Sequence, residues 1–179
     1  VKGWCTENAQ GITWNGVQVH GGMGFIEETG ASQYMRDARI ITIYEGTTAI
    51  QANDLIGRKT AKEGGKSMQQ LLADIAETGA ALRKSDDAAL KSLADALGEG
   101  IAALDEATNW LLANYESTPQ AAHAGSVPFL KLTGIVVGGW LMARSAQIAA
   151  GRLNEADGDF YKAKMATAAY FAKHVMPEA

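Results

Sequence analysis

Residues 88–112 read AALKSLADALGEGIAALDEATNWLL, and their apolar positions decide the fold class of the surrounding chain. An α-helix turns once every 3.6 residues, so side chains three or four positions apart share one face. Asp86, which lies shortly before this stretch, is a suitable N-cap residue. The stretch therefore predicts a long amphipathic helix. Its aliphatic residues recur with that spacing at Leu90, Leu93, Leu97, Ile101 and Leu104.

The same periodicity continues on both sides of this helix. Residues 60–179 contain 27 alanines among 120 positions, and alanine has the highest helix propensity. One helix is predicted before it, over about residues 68–82, and two after it, over about residues 127–153 and 159–175. Proline disfavours helical backbone in the residue before it, so Pro119 should end the long helix. We expect these helices to pack as an antiparallel array.

The first 59 residues contain shorter elements and nine of the 20 glycines. Helices are predicted over residues 1–19, 32–39 and 47–58, and Thr47 or Thr48 is expected to cap the last of them. The segment 59–66, which includes two glycines, is predicted to be a linker. The sequence thus predicts an all-α protein with two domains, residues 1–59 and residues 60–179.

The composition excludes several classes of protein. The chain has 179 residues with a net charge of −4 and no basic stripe, so nucleic acid is not an expected partner. Cys5 is the only cysteine, which excludes an internal disulfide and a multi-cysteine zinc site, and no other metal site is predicted. The longest uncharged apolar run, residues 132–143, is shorter than the roughly 20 residues that span a bilayer. We expect a cytoplasmic protein that does not bind membranes.

The segment from Gln18 to Gln51 carries most of the chemical information. Its cluster Gly21-Gly22-Met23-Gly24 can end a helix, or it can expose backbone N–H groups to a phosphate. Glu45 lies between apolar Ile43-Tyr44 and Gly46-Thr47, where a predicted helix begins. A carboxylate held among apolar groups can act as a general base, although most glutamates are solvated surface residues. Each feature alone is compatible with both interpretations.

Three motifs of this segment occur in a fixed order: QVHGGMGF at 18–25, MRDARI at 35–40 and IYEGT at 43–47. Together they resemble the C-terminal domain of acyl-CoA dehydrogenases. The 27 positions between Gln18 and Glu45 match the spacing in medium-chain members. Residues 128–140, PFLKLTGIVVGGW, further resemble the additional C-terminal helical domain of a bacterial subgroup with longer chains. The resemblance implies a helical bundle followed by an added antiparallel helical domain.

The resemblance also implies a reaction, the FAD-dependent α,β-dehydrogenation of an acyl-CoA thioester to a trans-2-enoyl-CoA. Glu45 matches the residue that removes the α-proton, while the β-hydrogen leaves as a hydride to flavin N5. The backbone N–H of Glu45 would stabilise the charge that develops on the thioester oxygen. Gly46 matches the position where the substrate approaches the backbone closely.

The resemblance further assigns residues to the cofactor. Gln18, Gly21 and Gly22 match the segment that contacts the ADP half of an FAD held mainly by a neighbouring subunit. Thr47 matches another FAD contact. Several relatives have glutamine at the position of Ala49, so this chain lacks the usual residue for one cofactor contact. Gln51 does not simply replace it, because two helical positions correspond to a rotation of roughly 200°.

The partners implied by the resemblance are a second copy of the chain, in a homodimer or homotetramer, and an electron-transfer flavoprotein. Family members also have an N-terminal helical domain and a middle β-domain, so we expect a C-terminal fragment that is inactive by itself. A non-enzymatic all-α module for oligomerisation or protein interaction is the alternative interpretation. The sequence does not decide the acyl chain length or whether the substrate is 3-methylmercaptopropionyl-CoA, which members of the longer bacterial subgroup oxidise.

Overall fold

Helices account for all the regular structure of the protein. The computed structural model describes residues 1–179 and contains no strand, which confirms the prediction of an all-α fold. Three short 3-10 turns, Glu27–Thr29, Ala61–Glu63 and Met176–Glu178, lie between or after the helices. The nine α-helices are α1 Lys2–Val19, α2 Gly22–Phe25, α3 Ala31–Ile41, α4 Thr48–Ile56, α5 Lys66–Arg83, α6 Ala88–Asn114, α7 Pro119–Ala124, α8 Ser126–Ala150 and α9 Gly158–His174.

The hydrophobic core lies among the later helices. Of the 20 residues in the buried cluster, only Ile56 precedes α5. Helices α5 and α6 are antiparallel, since Arg83 at the end of α5 donates to the Ala94 carbonyl near the start of α6 at 3.3 Å. At the other end of the pair, the Gln69 side chain donates to Asp105 at 2.8 Å. The packed array of long helices is therefore the part of the molecule that apolar burial stabilises most.

The first fifty residues form an arm with little core of its own. Helices α1 and α3 lie side by side, and the Gln10 side chain of α1 donates to the Ala38 carbonyl of α3 at 2.6 Å. Thirteen of the nineteen large exposed hydrophobic residues of the chain belong to this arm, among them Trp14, Phe25 and Tyr34. The chain's own helices thus leave much apolar surface of the arm uncovered.

The start of the arm is interlocked with α8. A Cβ placed on Gly134 of α8 would lie 2.6 Å from Cε3 of Trp4, so the indole ring occupies the space that a side chain would take. In the opposite direction, a Cβ on Gly3 of α1 would lie 2.8 Å from Cδ1 of Leu130. Each helix therefore presents a glycine to a large side chain of the other. This interlock joins two helices that lie far apart in the sequence.

The segment 59–66, which the sequence predicts to be a linker, is packed against the helices around it. Thr60 is completely buried, and its hydroxyl donates to the Leu55 carbonyl at 2.8 Å. Gly65 has a positive φ of 80° and is buried against Leu112 of α6. The segment is a packed turn, because its polar groups are satisfied locally and its glycines permit the reversal. The division into domains at residue 60 stays a prediction.

Several helix ends lie a few residues from their predicted positions. Asp87, and not Asp86, caps α6, since its Oδ1 accepts from the Ala89 N–H at 2.8 Å. Pro119 ends no helix directly but begins the short α7, a helix that the apolar pattern does not predict. Helix α8 ends at Ala150, before the predicted end at residue 153, and α9 begins at Gly158, one residue before the predicted start. Helix ends fray and vary by one or two residues, so hydrophobic periodicity does not define them closely.

Helix α8 is the most apolar helix of the chain. It has 25 residues and a mean hydropathy of 1.4 over its most apolar window, so it could cross a membrane by length and composition. The central helix of a water-soluble protein meets the same criterion. Eight of its residues are buried, and it packs against α4, α6 and α9. The predicted absence of membrane binding stays a prediction.

Candidate functional site

The loop of residues 42–47, which we term the Glu45 loop, connects α3 to α4 and has an unusual backbone. Glu45 has a φ of 54° and is the only non-glycine residue of the chain with a positive φ. A residue in this left-handed region costs about 1–3 kcal/mol and persists only where its surroundings enforce it. Gly46 follows with a φ of 93°, which glycine adopts without penalty. Such strain is concentrated at functional sites.

Two side chains hold three consecutive carbonyl groups of the Glu45 loop. The Lys2 ammonium donates to the carbonyl oxygen of Tyr44 at 2.6 Å and also to that of Gly46. The Gln51 amide donates to the carbonyl oxygen of Glu45 at 3.2 Å. We call this arrangement the carbonyl clamp. It fixes the loop from α1 on one side and from α4 on the other.

The N–H groups on the same loop remain free. The amides of Glu45, Gly46 and Thr47 donate to no acceptor in the chain, whereas the preceding amides of Ile43 and Tyr44 both donate to the Ile40 carbonyl. A free, fixed N–H group is a suitable donor for a developing negative charge. The loop therefore has its carbonyls engaged and its N–H groups available.

The carboxylate of Glu45 is open to solvent. The residue is exposed, and the flanking Ile43 and Tyr44 are 47% and 49% exposed. The apolar surroundings that the sequence suggested for Glu45 are thus not formed by its own neighbours, because their side chains also point away from the chain's core. None of the seven ion pairs of the structure involves Glu45. The carboxylate is free to accept a proton from a group outside the chain.

Asp54, the acidic residue of α4, forms ion pairs with two basic side chains. Its carboxylate lies 2.6 Å from Nε of Arg58 and 3.6 Å from Nζ of Lys59. The hydrogen bond from Arg58 lowers the pKa of Asp54 below its ordinary value, with smaller contributions from the charges of Arg58 and Lys59. A paired carboxylate of this kind is a poor proton acceptor. Glu45 is therefore the better candidate for a base.

The entrance of α4 explains the residues after Glu45. The φ of 93° at Gly46 would strain any L side chain, so the backbone favours glycine here independently of any ligand. Thr47 caps α4, since its hydroxyl accepts from the Ile50 N–H at 3.4 Å. The Thr48 hydroxyl donates instead to the carboxylate of Glu7 on α1. The roles of Gly46 and Thr47 toward substrate and cofactor stay predictions.

The three residues assigned to the cofactor near the glycine cluster lie elsewhere. Gln18, Gly21 and Gly22 are exposed at the far end of α1, and nothing lies within 4 Å of a Cβ built on either glycine. Gln18 follows Lys2 by 16 helical positions, which corresponds to about 24 Å along the axis. The structure thus brings Glu45, Gly46 and Thr47 together. It places the three residues near the glycine cluster at a second, open surface. One small chemical group cannot contact both surfaces.

The matches to family models cover nearly the whole chain. Residues 67–179 match the model described as "Acetyl-CoA dehydrogenase C-terminal like", and residues 1–60 match "Acyl-CoA dehydrogenase, C-terminal domain". The chain belongs to the acyl-CoA dehydrogenase family. The resemblance of the three motifs is thereby confirmed.

Individual relatives carry names that agree with this family. The chain is 50% identical over 179 residues to 3-methylmercaptopropionyl-CoA dehydrogenase of Ruegeria pomeroyi, a match that covers 99% of this chain and 30% of that protein. It is 36% identical to broad-specificity linear acyl-CoA dehydrogenase FadE5 of Mycobacterium tuberculosis, with the same coverage. It is 33% identical to a butyryl-CoA dehydrogenase of Syntrophomonas wolfei, over 98% of this chain and 29% of that protein. The chain thus spans about 30% of the length of these relatives.

Sequence reasoning missed the two residues of the carbonyl clamp. Lys2 contacts a loop more than forty positions later, so no short-range spacing connects it to Glu45. Gln51 is close to the motif, and it was considered only as a replacement for the residue at Ala49. In the structure its side chain turns back to the Glu45 carbonyl. The one available signal was the glycine at Gly46, which leaves room for that amide.

Proposed function

We propose that this chain is the C-terminal part of an FAD-dependent acyl-CoA dehydrogenase and that Glu45 is its catalytic base. The observation that carries the proposal is the Glu45 loop, where an unpaired carboxylate lies on a strained backbone held by two other helices. Membership of the family supports the reaction class. An unpaired carboxylate on a backbone held in place is suited to general base catalysis, because no ion pair has to break before it accepts a proton.

The chain's own groups would act on the substrate in two ways. The Glu45 carboxylate would accept the proton from the α-carbon of the acyl-CoA thioester. The free N–H of Glu45 would donate to the thioester oxygen, where negative charge develops as the proton leaves. Bound FAD would supply the acceptor for the β-hydride. Base and oxyanion donor would then belong to one residue, whose backbone the carbonyl clamp holds in place.

The cofactor and partners follow from the same proposal. Thr47 would contact the FAD beside Glu45, whereas Gln18, Gly21 and Gly22 would contact the FAD of a neighbouring subunit. Their distance along α1 and the open surface around the two glycines support this assignment. The protein would be a homodimer or homotetramer and would pass electrons to an electron-transfer flavoprotein. We propose the cytoplasm as its location, where the exposed, free Cys5 would stay reduced.

The substrate would be an acyl-CoA thioester. The names of the relatives suggest a first comparison between 3-methylmercaptopropionyl-CoA and butyryl-CoA, because the former belongs to the relative with 50% identity. Both substrates have an acidic α-carbon and a β-hydrogen. Steady-state kinetics of the complete flavoenzyme with both compounds would measure the preference directly.

The test of the proposed function is Glu45→Gln in the complete flavoenzyme. The amide is nearly isosteric and retains the backbone N–H, so FAD content and acyl-CoA affinity should stay within about twofold of wild type. The rate of flavin reduction by acyl-CoA, followed by stopped-flow absorbance, should fall by about 10²- to 10⁴-fold or more. That range is the usual contribution of a general base. Glu99→Gln, which alters an exposed glutamate of α6, is the matched control and should leave the rate unchanged.

Two outcomes would contradict the proposal. A Glu45→Gln enzyme that reduces its flavin within threefold of the wild-type rate would place the base outside this chain. A complete protein that binds no FAD and no acyl-CoA would favour the alternative, a non-enzymatic module for oligomerisation. Analytical ultracentrifugation of the same preparations would then measure whether the protein still assembles.

A further inference from the structure

We propose that Lys2 is a positioning residue, which holds the Glu45 carboxylate and N–H in their reactive arrangement by binding the backbone on both sides of Glu45. The proposal rests on the proposed function of Glu45. It concerns a residue at the start of α1, 43 positions before the base.

The contacts of Lys2 are directed almost entirely at the Glu45 loop. Its ammonium donates to the carbonyls of Tyr44 and Gly46 and lies 5.8 Å from the centre of the Tyr44 ring. None of the ion pairs of the structure involves Lys2. Because an ammonium has three donors, it can bind two carbonyls at once from a single point. The function of this lysine in the fold is therefore to shape one loop.

The clamp acts on the two peptide groups that determine where Glu45 points. Rotation of the peptide between Tyr44 and Glu45 would move the Glu45 N–H, and it would break the bond from Lys2 to the Tyr44 carbonyl. Rotation of the peptide between Glu45 and Gly46 would break the bond from Gln51 to the Glu45 carbonyl. With both bonds intact, the unfavourable positive φ of Glu45 is retained.

The position of Lys2 is itself fixed by its neighbours on α1. Gly3 and Trp4 are interlocked with Leu130 and Gly134 of α8, so the first turn of α1 cannot slide along the core. Residues that lie far from the reaction can thus influence the geometry of the base through Lys2. Small displacements of a catalytic group have large effects on rate, on the order of 10²-fold for about 1 Å.

The experiment compares Lys2→Met with Lys2→Arg and Lys91→Met in the complete flavoenzyme. Methionine retains a straight side chain and removes the donors, whereas arginine retains several donors and the charge. Lys91 is an exposed lysine of α6 without a side-chain partner and serves as the matched control. We expect flavin reduction to fall about 10- to 100-fold in Lys2→Met, to recover to within about fivefold of wild type in Lys2→Arg, and to stay unchanged in Lys91→Met.

Two further readouts separate positioning from a general loss of structure. With α-deuterated acyl-CoA, the kinetic isotope effect on flavin reduction should rise in Lys2→Met, because proton transfer to a displaced base becomes slower. A smaller fraction of folded enzyme would lower the amplitude without changing the isotope effect. Hydrogen exchange at the Ile43 and Tyr44 amides, which the Ile40 carbonyl protects, should also accelerate in Lys2→Met alone.

Gln51→Leu provides a second variant if Lys2→Met does not retain FAD, because it removes the other half of the clamp without altering α1. It should show the same rise in isotope effect. If flavin reduction in Lys2→Met or Gln51→Leu stays within twofold of wild type with an unchanged isotope effect, the positioning role is wrong. That result, together with a large loss in Glu45→Gln, would overturn the positioning role alone. Normal rates in Glu45→Gln would overturn the proposed function.

Discussion

At Glu45, a single residue has a free carboxylate, a free N–H and a left-handed backbone. A glycine would adopt the same φ without strain, but it could not supply a carboxylate. The chain retains the glutamate and compensates for its conformation with hydrogen bonds from Lys2 and Gln51. Strain at this position is thus a consequence of placing a side chain where the backbone favours none.

The strain predicts an inversion of the usual order of stability between alanine and glycine. At Glu45, the Gly variant should be more stable than the Ala variant by about 1 kcal/mol, since the left-handed penalty of about 1–2 kcal/mol exceeds the entropic cost of glycine. On α4, Ala49→Gly should show the ordinary loss of up to about 1 kcal/mol. Urea unfolding of the three variants would measure both differences. If Glu45→Ala were as stable as Glu45→Gly, the positive φ assigned to this residue would be wrong.

At the scale of elements, side-chain capping contacts define where α4 and α6 begin. The 27-residue helix α6 begins where Asp87 accepts from the Ala89 N–H, although Asp86 is chemically identical and adjacent. An N-cap side chain satisfies one of the amides that the first turn leaves without an acceptor. The choice between the two aspartates depends on backbone direction, which the sequence alone does not specify.

Alanine substitution of the two aspartates should separate the cap from its neighbour. Asp87→Ala should lower the free energy of unfolding by about 1 kcal/mol, because it removes the acceptor of the Ala89 N–H. Asp86→Ala should change it by no more than about 0.5 kcal/mol, since that exposed side chain makes no hydrogen bond. Thermal and urea unfolding would measure both. Equal losses in the two variants would contradict the assignment.

The long helices could be predicted from sequence because their apolar residues repeat with helical spacing over many turns. The Thr47 cap was also predictable, since threonine before a helical stretch has a local preference. Helix α7 was not, because six residues contain too few turns for a periodic pattern. The side chains that bind the carbonyl groups of the Glu45 loop could not be predicted from sequence for a different reason. Contact between Lys2 and the loop depends on how α1 packs, which no local pattern encodes.

At the scale of the whole molecule, the interlock of α1 with α8 connects the Glu45 loop to the buried core. Trp4 lies over Gly134, and Leu130 lies over Gly3. Helix α8 in turn packs against α4, α6 and α9. The position of Lys2 therefore depends on helices that contain none of the candidate site residues. This arrangement gives the later helices an influence on the site without contact with it.

Gly134→Ala should disturb this connection. The added Cβ would lie 2.6 Å from Cε3 of Trp4, in a ring that cannot move as a flexible chain end can, so we expect a loss of about 1–3 kcal/mol in unfolding free energy. Gly151→Ala is the control, because a Cβ there would have only an ordinary contact at 3.6 Å. Flavin reduction should also slow in Gly134→Ala. Unchanged stability, measured by calorimetry, would contradict the interlock.

The interlock also has a consequence for the order in which the protein can be assembled during translation. Trp4 is synthesised 130 positions before Gly134, which is its packing partner in α8. At about 5–20 residues per second, the nascent chain waits roughly 6–26 s for that partner. Throughout this interval the indole ring of Trp4 lacks the α8 surface against which it packs in the finished fold. The arm that bears Glu45 is thus synthesised before α8, and its packing against α8 is completed only after that helix has been made.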